Sequence, residues 1–194
     1  GAGLTTDSAW QPLKAGDRIT YCYFSPCGRC YACLHGQPHA CPHTLGRMGR
    51  PCLEPPHFMG AFAEYYYLQP GQVIYKVPDE VSDEMVAPAN CALSEVFYGL
   101  HRTGVSPGDP VVIQGAGGLG INAIAVAREM GAASIIVVEQ HPERIKLAQA
   151  FGADYIIDLG RYPTPRERVS RVRQLTGGRG ADVVAELTGI PQAA

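Results

Sequence analysis

The stretch from Val111 to Gly120 constrains this 194-residue chain more tightly than any other. An apolar run, Val111-Val112-Ile113, leads almost directly into Gly115-Ala116-Gly117-Gly118-Leu119-Gly120. Beyond it Leu119, Ala123, Val126, Ala127 and Met130 recur on one helical face. A strand apolar on both faces must be covered on both, as in a parallel sheet wrapped by helices. A glycine-rich turn that opens a helix presents free N–H groups and the positive end of the helix dipole to one point, which suits a phosphate. In such a turn Gly115 allows the tight bend and Gly117 lets a pyrophosphate approach the backbone. Gly120 lets the helix lie close to the strand. Gly118 and Leu119 complete the candidate phosphate-binding set.

The downstream sequence repeats the strand–helix alternation. Ile135 to Val138, Tyr155 to Ile157 and Val183-Val184 are further apolar runs. A helix is predicted from Pro142, with Ile145, Ala148 and Phe151 on one face. Another is predicted after Thr164-Pro165-Arg166-Glu167, which reads as a cap residue, a proline at the first helical position and a capping-box glutamate. The pattern predicts an α/β fold with a doubly wound, Rossmann-type parallel sheet. Glu139 ends the second strand, nineteen residues past Gly120. An acid there accepts hydrogen bonds from ribose hydroxyls and repels a 2′-phosphate, which favours NAD over NADP. Arg144 lies close enough to meet a phosphate, so NADP stays open as the second choice. A solvated strand end is the plain structural alternative for Glu139.

Residues before about 77 read differently, as turns and short β-rich runs: Arg18 to Tyr23, Ala61 to Leu68 and Val73 to Val77. This half contains Cys27-x2-Cys30-x2-Cys33-x7-Cys41. Two residues between ligands let a tight turn aim two thiolates at one point, and Gly28 frees the backbone to make it. Four thiolates fill a tetrahedral zinc shell and leave no open position, which marks a structural site. An iron–sulfur cluster is the metal alternative, although the seven-residue gap departs from the usual bacterial spacing. Reduced, unliganded thiols or two disulfides are the metal-free alternatives. His35, His39 and His43 lie nearby and are read as surface residues, since four sulfurs already complete the shell.

A connecting helix is predicted from Cys91 to Thr103, with Leu93, Val96, Phe97 and Leu100 on one face and Gly104 ending it. The domains are accordingly residues 1–91 and 92–194. The formal net charge is -2, which argues against a general nucleic-acid binder. The uncharged run Pro110 to Ala127 is too glycine-rich and polar to span a bilayer. Clustered cysteines without a secretory signal point to a reducing, cytoplasmic compartment. The opening Gly-Ala-Gly-Leu reads as the interior of a longer chain.

With these motifs in place, the chain resembles the zinc-dependent medium-chain alcohol dehydrogenases over almost its whole length. The resemblance rests on Gly16-Asp17-Arg18, the cysteine lobe, Gly60 to Tyr65 and Pro88-Ala89-Asn90-Cys91-Ala92. It continues through the glycine turn, Gly152-Ala153-Asp154 and Gly180-Ala181-Asp182-Val183-Val184. It implies a GroES-like catalytic domain portion carrying a zinc lobe, joined to a Rossmann domain, with both ends truncated. It also implies a second, catalytic zinc, for which Cys91 is the one matching ligand. The family's other Cys and its Gly-His-Glu motif do not occur in this sequence. On its own terms Cys91 is equally well read as a buried helix-start cysteine.

The implied activity is hydride transfer between an alcohol or polyol and a nicotinamide cofactor, with the 194-residue segment inactive alone. A carbonyl reductase of the same fold and a non-catalytic zinc-knuckle and nucleotide-binding module are the alternatives. The implied partners are a small alcohol or carbonyl substrate and further copies of the parent chain, as a homodimer or homotetramer. The insert His43 to Pro56 is longer than the family's usual loop and is expected to shape the substrate entrance.

Overall fold

A computed structural model describes residues 3–44, 51–55 and 57–190. Half of the insert, residues 45–50 and 56, therefore lies outside the described residues, as do residues 1–2 and 191–194. The chain divides into two compact units, Gly1–Asn90 and Cys91–Ala194.

In the first unit, β1 (Ile19–Tyr21) pairs antiparallel with β2 (Ile74–Lys76), Thr20 lying opposite Tyr75. The buried Asp7 carboxylate secures this pair from outside it. Its Oδ1 accepts from the Ala9 and Gln11 N–H groups and its Oδ2 from the Lys76 N–H, each at 2.8 Å. Among the described residues, one-turn helices α1 (Tyr31–Leu34) and α2 (Asp83–Val86) complete the regular elements, with a short 3-10 turn at Pro38–Ala40. The predicted strand from Ala61 to Leu68 does not form. A strand exists only through a partner's hydrogen bonds, and this stretch finds no ladder among the described residues. Its Tyr66 instead stacks on Tyr21 at 4.4 Å between ring centroids, and Phe62 is fully exposed.

The second unit opens on a π-helical turn, Ala89–Leu93, which continues into α3 (Ser94–Thr103). Gly104 caps that helix in the left-handed conformation. Val96 and Leu100 are buried as predicted, whereas Phe97 turns outward. Then follow β3 (Pro110–Gln114), α4 (Gly118–Glu129), β4 (Ser134–Glu139), α5 (Pro142–Ala150), β5 (Tyr155–Asp158), α6 (Pro165–Leu175) and β6 (Val183–Glu186). The sheet is entirely parallel, in the order β5-β4-β3-β6.

Alternation along the strands explains the continuous apolar runs. Val111, Ile113, Ile135 and Val137 pack with Ile121, Ile124 and Ala127 of α4 on one face. Val112, Ile136, Val138 and Ile157 pack on the other, against Val172 and Leu175 of α6. Both faces are covered, so polar positions vanish from the strand interiors. The chain passes from β3 through β4 to β5 in one direction and returns to β3's other side as β6. The carboxyl ends of β3 and β6 therefore mark the switch point at which ligands bind in open α/β sheets.

Candidate cofactor and metal sites

The glycine turn leaves β3 at Gln114 and enters α4 at Gly118. Gly115 has φ +90°, a left-handed conformation that side chains disfavour, and a Cβ there would meet the Thr188 Cγ2 at 2.8 Å. A Cβ on Gly120 would lie 1.9 Å from the Gly115 carbonyl oxygen. That contact is impossible, so only glycine lets the first turn of α4 rest on the strand end. Gly117 is different: its φ is −74°, and a Cβ would meet nothing within 4 Å. Neither backbone conformation nor packing requires glycine at 117, which leaves open space above the turn. No side chain caps α4 and no acid occupies its first turn. The positive helix end is therefore not neutralised by a carboxylate of that turn. Gly118 is exposed, while the Leu119 side chain packs against the core.

Glu139 closes β4 directly beside this turn and is only 7% exposed. Its Oε2 accepts from the Ala116 N–H at 2.9 Å. Its Oε1 accepts from the N–H groups of Gln140 at 2.8 Å and His141 at 3.0 Å. A carboxylate offers about four lone-pair positions, so these three bonds leave roughly one for a further donor. Burial works to raise the Glu139 pKa, but the His141, Ala116 and Gln140 N–H groups outweigh it and hold the group below its ordinary value. Arg144 adds a little from 3.9 Å, with its guanidinium largely in solvent. Glu139 is thus a braced, ionised group, not a solvated strand end.

In the first unit, the Sγ atoms of Cys27, Cys30, Cys33 and Cys41 all lie within 4.8 Å of one another. Cys30 is 3.5 Å from Cys33 and 3.8 Å from Cys41. A zinc tetrahedron with bonds of about 2.3 Å has sulfur–sulfur edges of about 3.8 Å, so the donor set fits a closed tetrathiolate site. The backbone around it donates to sulfur, the Cys27 N–H reaching the Cys41 Sγ at 3.4 Å. That bond, with N–H donation from His43, draws the Cys41 thiol down to about 6. Burial and a hydrogen bond with Cys30 push Cys33 up to about 11. All seven cysteines are free thiols, so neither alternative disulfide is formed. His35, His39 and His43 are exposed and outside the cluster, with the His35 ring stacked on Tyr31.

Cys91 lies in the π-helical turn and is exposed, which removes the reading of a buried packing cysteine. Among the described residues it joins no group of three or more metal-ligating side chains. Sequence reasoning missed Glu186, the last residue of β6 and opposite Gln114, and Thr188 just beyond it. The Thr188 N–H and hydroxyl both donate to Glu186, and the Thr188 methyl borders Gly115. Only the pairing of β6 with β3 could have placed them there.

Residues 4–79 match the family model for the alcohol dehydrogenase GroES-like domain, and residues 118–194 match that for zinc-binding dehydrogenases. The chain is 35% identical over 192 residues to 5-exo-hydroxycamphor dehydrogenase of Pseudomonas putida, covering 97% of this chain and 51% of that protein. It is 33% identical over 190 residues to sorbitol dehydrogenase of Bacillus subtilis, covering 96% and 49% respectively. Among solved structures, an alcohol dehydrogenase from Thermotoga maritima superposes with a TM-score of 0.88 at 34% identity, covering 97% of this chain and 52% of that one. The chain spans about half the length of the curated relatives it matches. Two matched domains in family order, with the sheet and cysteine cluster described above, show that the chain belongs to the zinc-dependent medium-chain dehydrogenase family.

Proposed function

We propose that this chain carries the cofactor-binding and structural-zinc portions of an oxidoreductase that moves hydride between an alcohol and NAD. The observation that carries the reading is the glycine turn, closed by Gly115 and Gly120 yet left open at Gly117 and uncapped at α4. There the backbone N–H groups of Gly117, Gly118 and Leu119 hold the pyrophosphate, and Glu139 accepts from the adenosine ribose with its remaining lone pair. A 2′-phosphate would meet an ionised, buried carboxylate, so NAD is preferred over NADP. Arg144, exposed and 3.9 Å from Glu139, is the group that would meet a 2′-phosphate if NADP bound instead. When bound, NAD supplies the hydride acceptor.

Cys27, Cys30, Cys33 and Cys41 hold a structural zinc that fixes a lobe with little regular structure of its own. Cys91, exposed at the start of α3, supplies one thiolate to a catalytic zinc. Its partner ligands in the family are not present in residues 1–194, so the chain alone is expected to show no alcohol oxidation. The substrate class is small alcohols, in keeping with hydroxycamphor and sorbitol dehydrogenases as relatives. The same residues would serve the reverse, carbonyl-reducing direction. We place the protein in the cytoplasm, where its thiols stay reduced, as an assembly of two or four copies. Among the described residues no helix is long and apolar enough to cross a membrane.

Fluorescence titration with NADH and NADPH, together with metal analysis, tests this reading. The expected result is saturable NADH binding at least tenfold tighter than NADPH, with one zinc per chain. Equal affinity for the two cofactors would overturn the NAD assignment. Iron with acid-labile sulfide would overturn the zinc assignment, and absence of binding to either nucleotide would overturn the cofactor reading.

A further inference from the structure

Two successive N–H groups of the glycine turn are fastened to the last two residues of β4. The Gly115 N–H donates to the Val138 carbonyl at 2.9 Å, and the Ala116 N–H donates to the Glu139 Oε2 at 2.9 Å. The first is an ordinary backbone bond that any residue at 138 would make. The second depends on one side chain. The other oxygen of the same carboxylate receives the Gln140 and His141 N–H groups, immediately before Pro142 opens α5. A single buried carboxylate therefore joins the end of β4, the glycine turn and the entry to α5.

We propose that Glu139 is a positioning residue for the phosphate-binding turn as well as a ribose acceptor. Through the Ala116 N–H it sets the direction in which the N–H groups at the start of α4 point, and so acts on the phosphates without touching them. The inference rests on the cofactor reading above and deepens it. The physical basis is the geometry of the acceptor. Ala116 precedes Gly117, the residue with open space above it, and the turn holds no other side-chain hydrogen bond at its N-cap. An amide at 139 would keep one acceptor oxygen and add an NH2 donor. It could serve Ala116 or the Gln140–His141 pair, while its NH2 would face an N–H in the other position. A shorter acid, as in Glu139→Asp, keeps the charge but falls short of bridging both sets.

The test separates action on the ribose from action on the turn. ADP and 2′,3′-dideoxy-ADP share the pyrophosphate, but the second lacks the hydroxyls that Glu139 would accept from directly. Calorimetric titration of the full chain, wild type against Glu139→Gln, is expected to show both nucleotides weakened, dideoxy-ADP by at least fivefold. Unchanged dideoxy-ADP affinity with weakened ADP would mean that Glu139 serves the ribose alone, and the proposal would fall. Hydrogen exchange provides an arm that needs no nucleotide. The Ala116 amide should exchange at least tenfold faster in the variant, while the Ile136 and Val137 amides of the same sheet keep their protection. Unaltered exchange at Ala116 would also overturn the proposal. Should Glu139→Gln fail to fold, Glu139→Asp is measured the same way, with the same faster exchange expected at Ala116. Failure of wild-type chain to bind ADP, with the expected exchange pattern intact, would sink the cofactor reading while leaving the brace on the turn established.

Discussion

Gly117 and Gly120 stand three residues apart in one turn and are glycines for different reasons. At Gly120 the reason is internal, because a methyl would enter the Gly115 carbonyl. Gly120→Ala should destabilise the second unit by about 1–3 kcal/mol, the usual cost of overpacking, with nucleotide binding lost as α4 is pushed from the strand. At Gly117 the chain itself imposes no restriction, so Gly117→Ala should leave stability within about 0.5 kcal/mol while weakening nucleotide affinity. Urea denaturation and NADH titration on the two variants check the contrast. Glu139 makes a further prediction at this scale. Its folded pKa lies below the ordinary 4.5, so its stabilisation is full above that pH and is lost as pH falls through the folded value. Urea midpoints of the second unit should therefore fall on acidification below pH 4.5, and Glu139→Gln should flatten that part of the fall.

Among the elements, α6 was the most legible, because Thr164, Pro165 and Glu167 announce its start. The complete capping box is present: the Glu167 N–H donates to the Thr164 Oγ1 at 3.3 Å, and the Glu167 carboxylate accepts from the Thr164 N–H at 2.9 Å. Thr164→Ala should cost about 0.5–2 kcal/mol, read as a lower thermal midpoint of the second unit. The parallel strands were legible for a related reason, since their burial on both faces writes itself into the sequence as unbroken Val and Ile. Ile135 is fully buried between β3 and the helices, and Ile135→Ala should cost about 2–5 kcal/mol in urea denaturation. The Ala61 to Leu68 stretch carries the same β-forming residues and forms no strand. Its composition describes a side-chain preference, whereas a strand also needs a neighbour offering N–H and C=O groups in register. Phe97 failed for a comparable reason: the helical period placed it beside Val96 and Leu100, but an amphipathic face has an edge, and neighbouring elements decide where the edge falls.

At the scale of the whole molecule, the two units depend on different sources of order. The second is held by an apolar core on both sides of its sheet. Among its described residues the first has a two-stranded ladder, two single-turn helices and four sulfurs converging on one point. Structural zinc in small units contributes on the order of 10–16 kcal/mol, as large as the whole stability of a typical domain. A strong chelator should therefore raise hydrogen exchange across residues 27–41 by orders of magnitude while leaving β3, β4 and α4 protected. Unchanged exchange in the cysteine lobe after metal removal would show that its turns stand without the ion. Local spacing was enough to specify the four-cysteine set, the glycine turn, the caps of α6 and the apolar strands. Each is a short-range pattern in which a few neighbouring residues meet one geometric demand. Tertiary structure alone decided that Glu139 is spent largely on backbone N–H groups, that Thr188 borders Gly115, and that Cys91 faces solvent. These outcomes depend on which distant segments pair and on which space remains unfilled, and no local pattern encodes either.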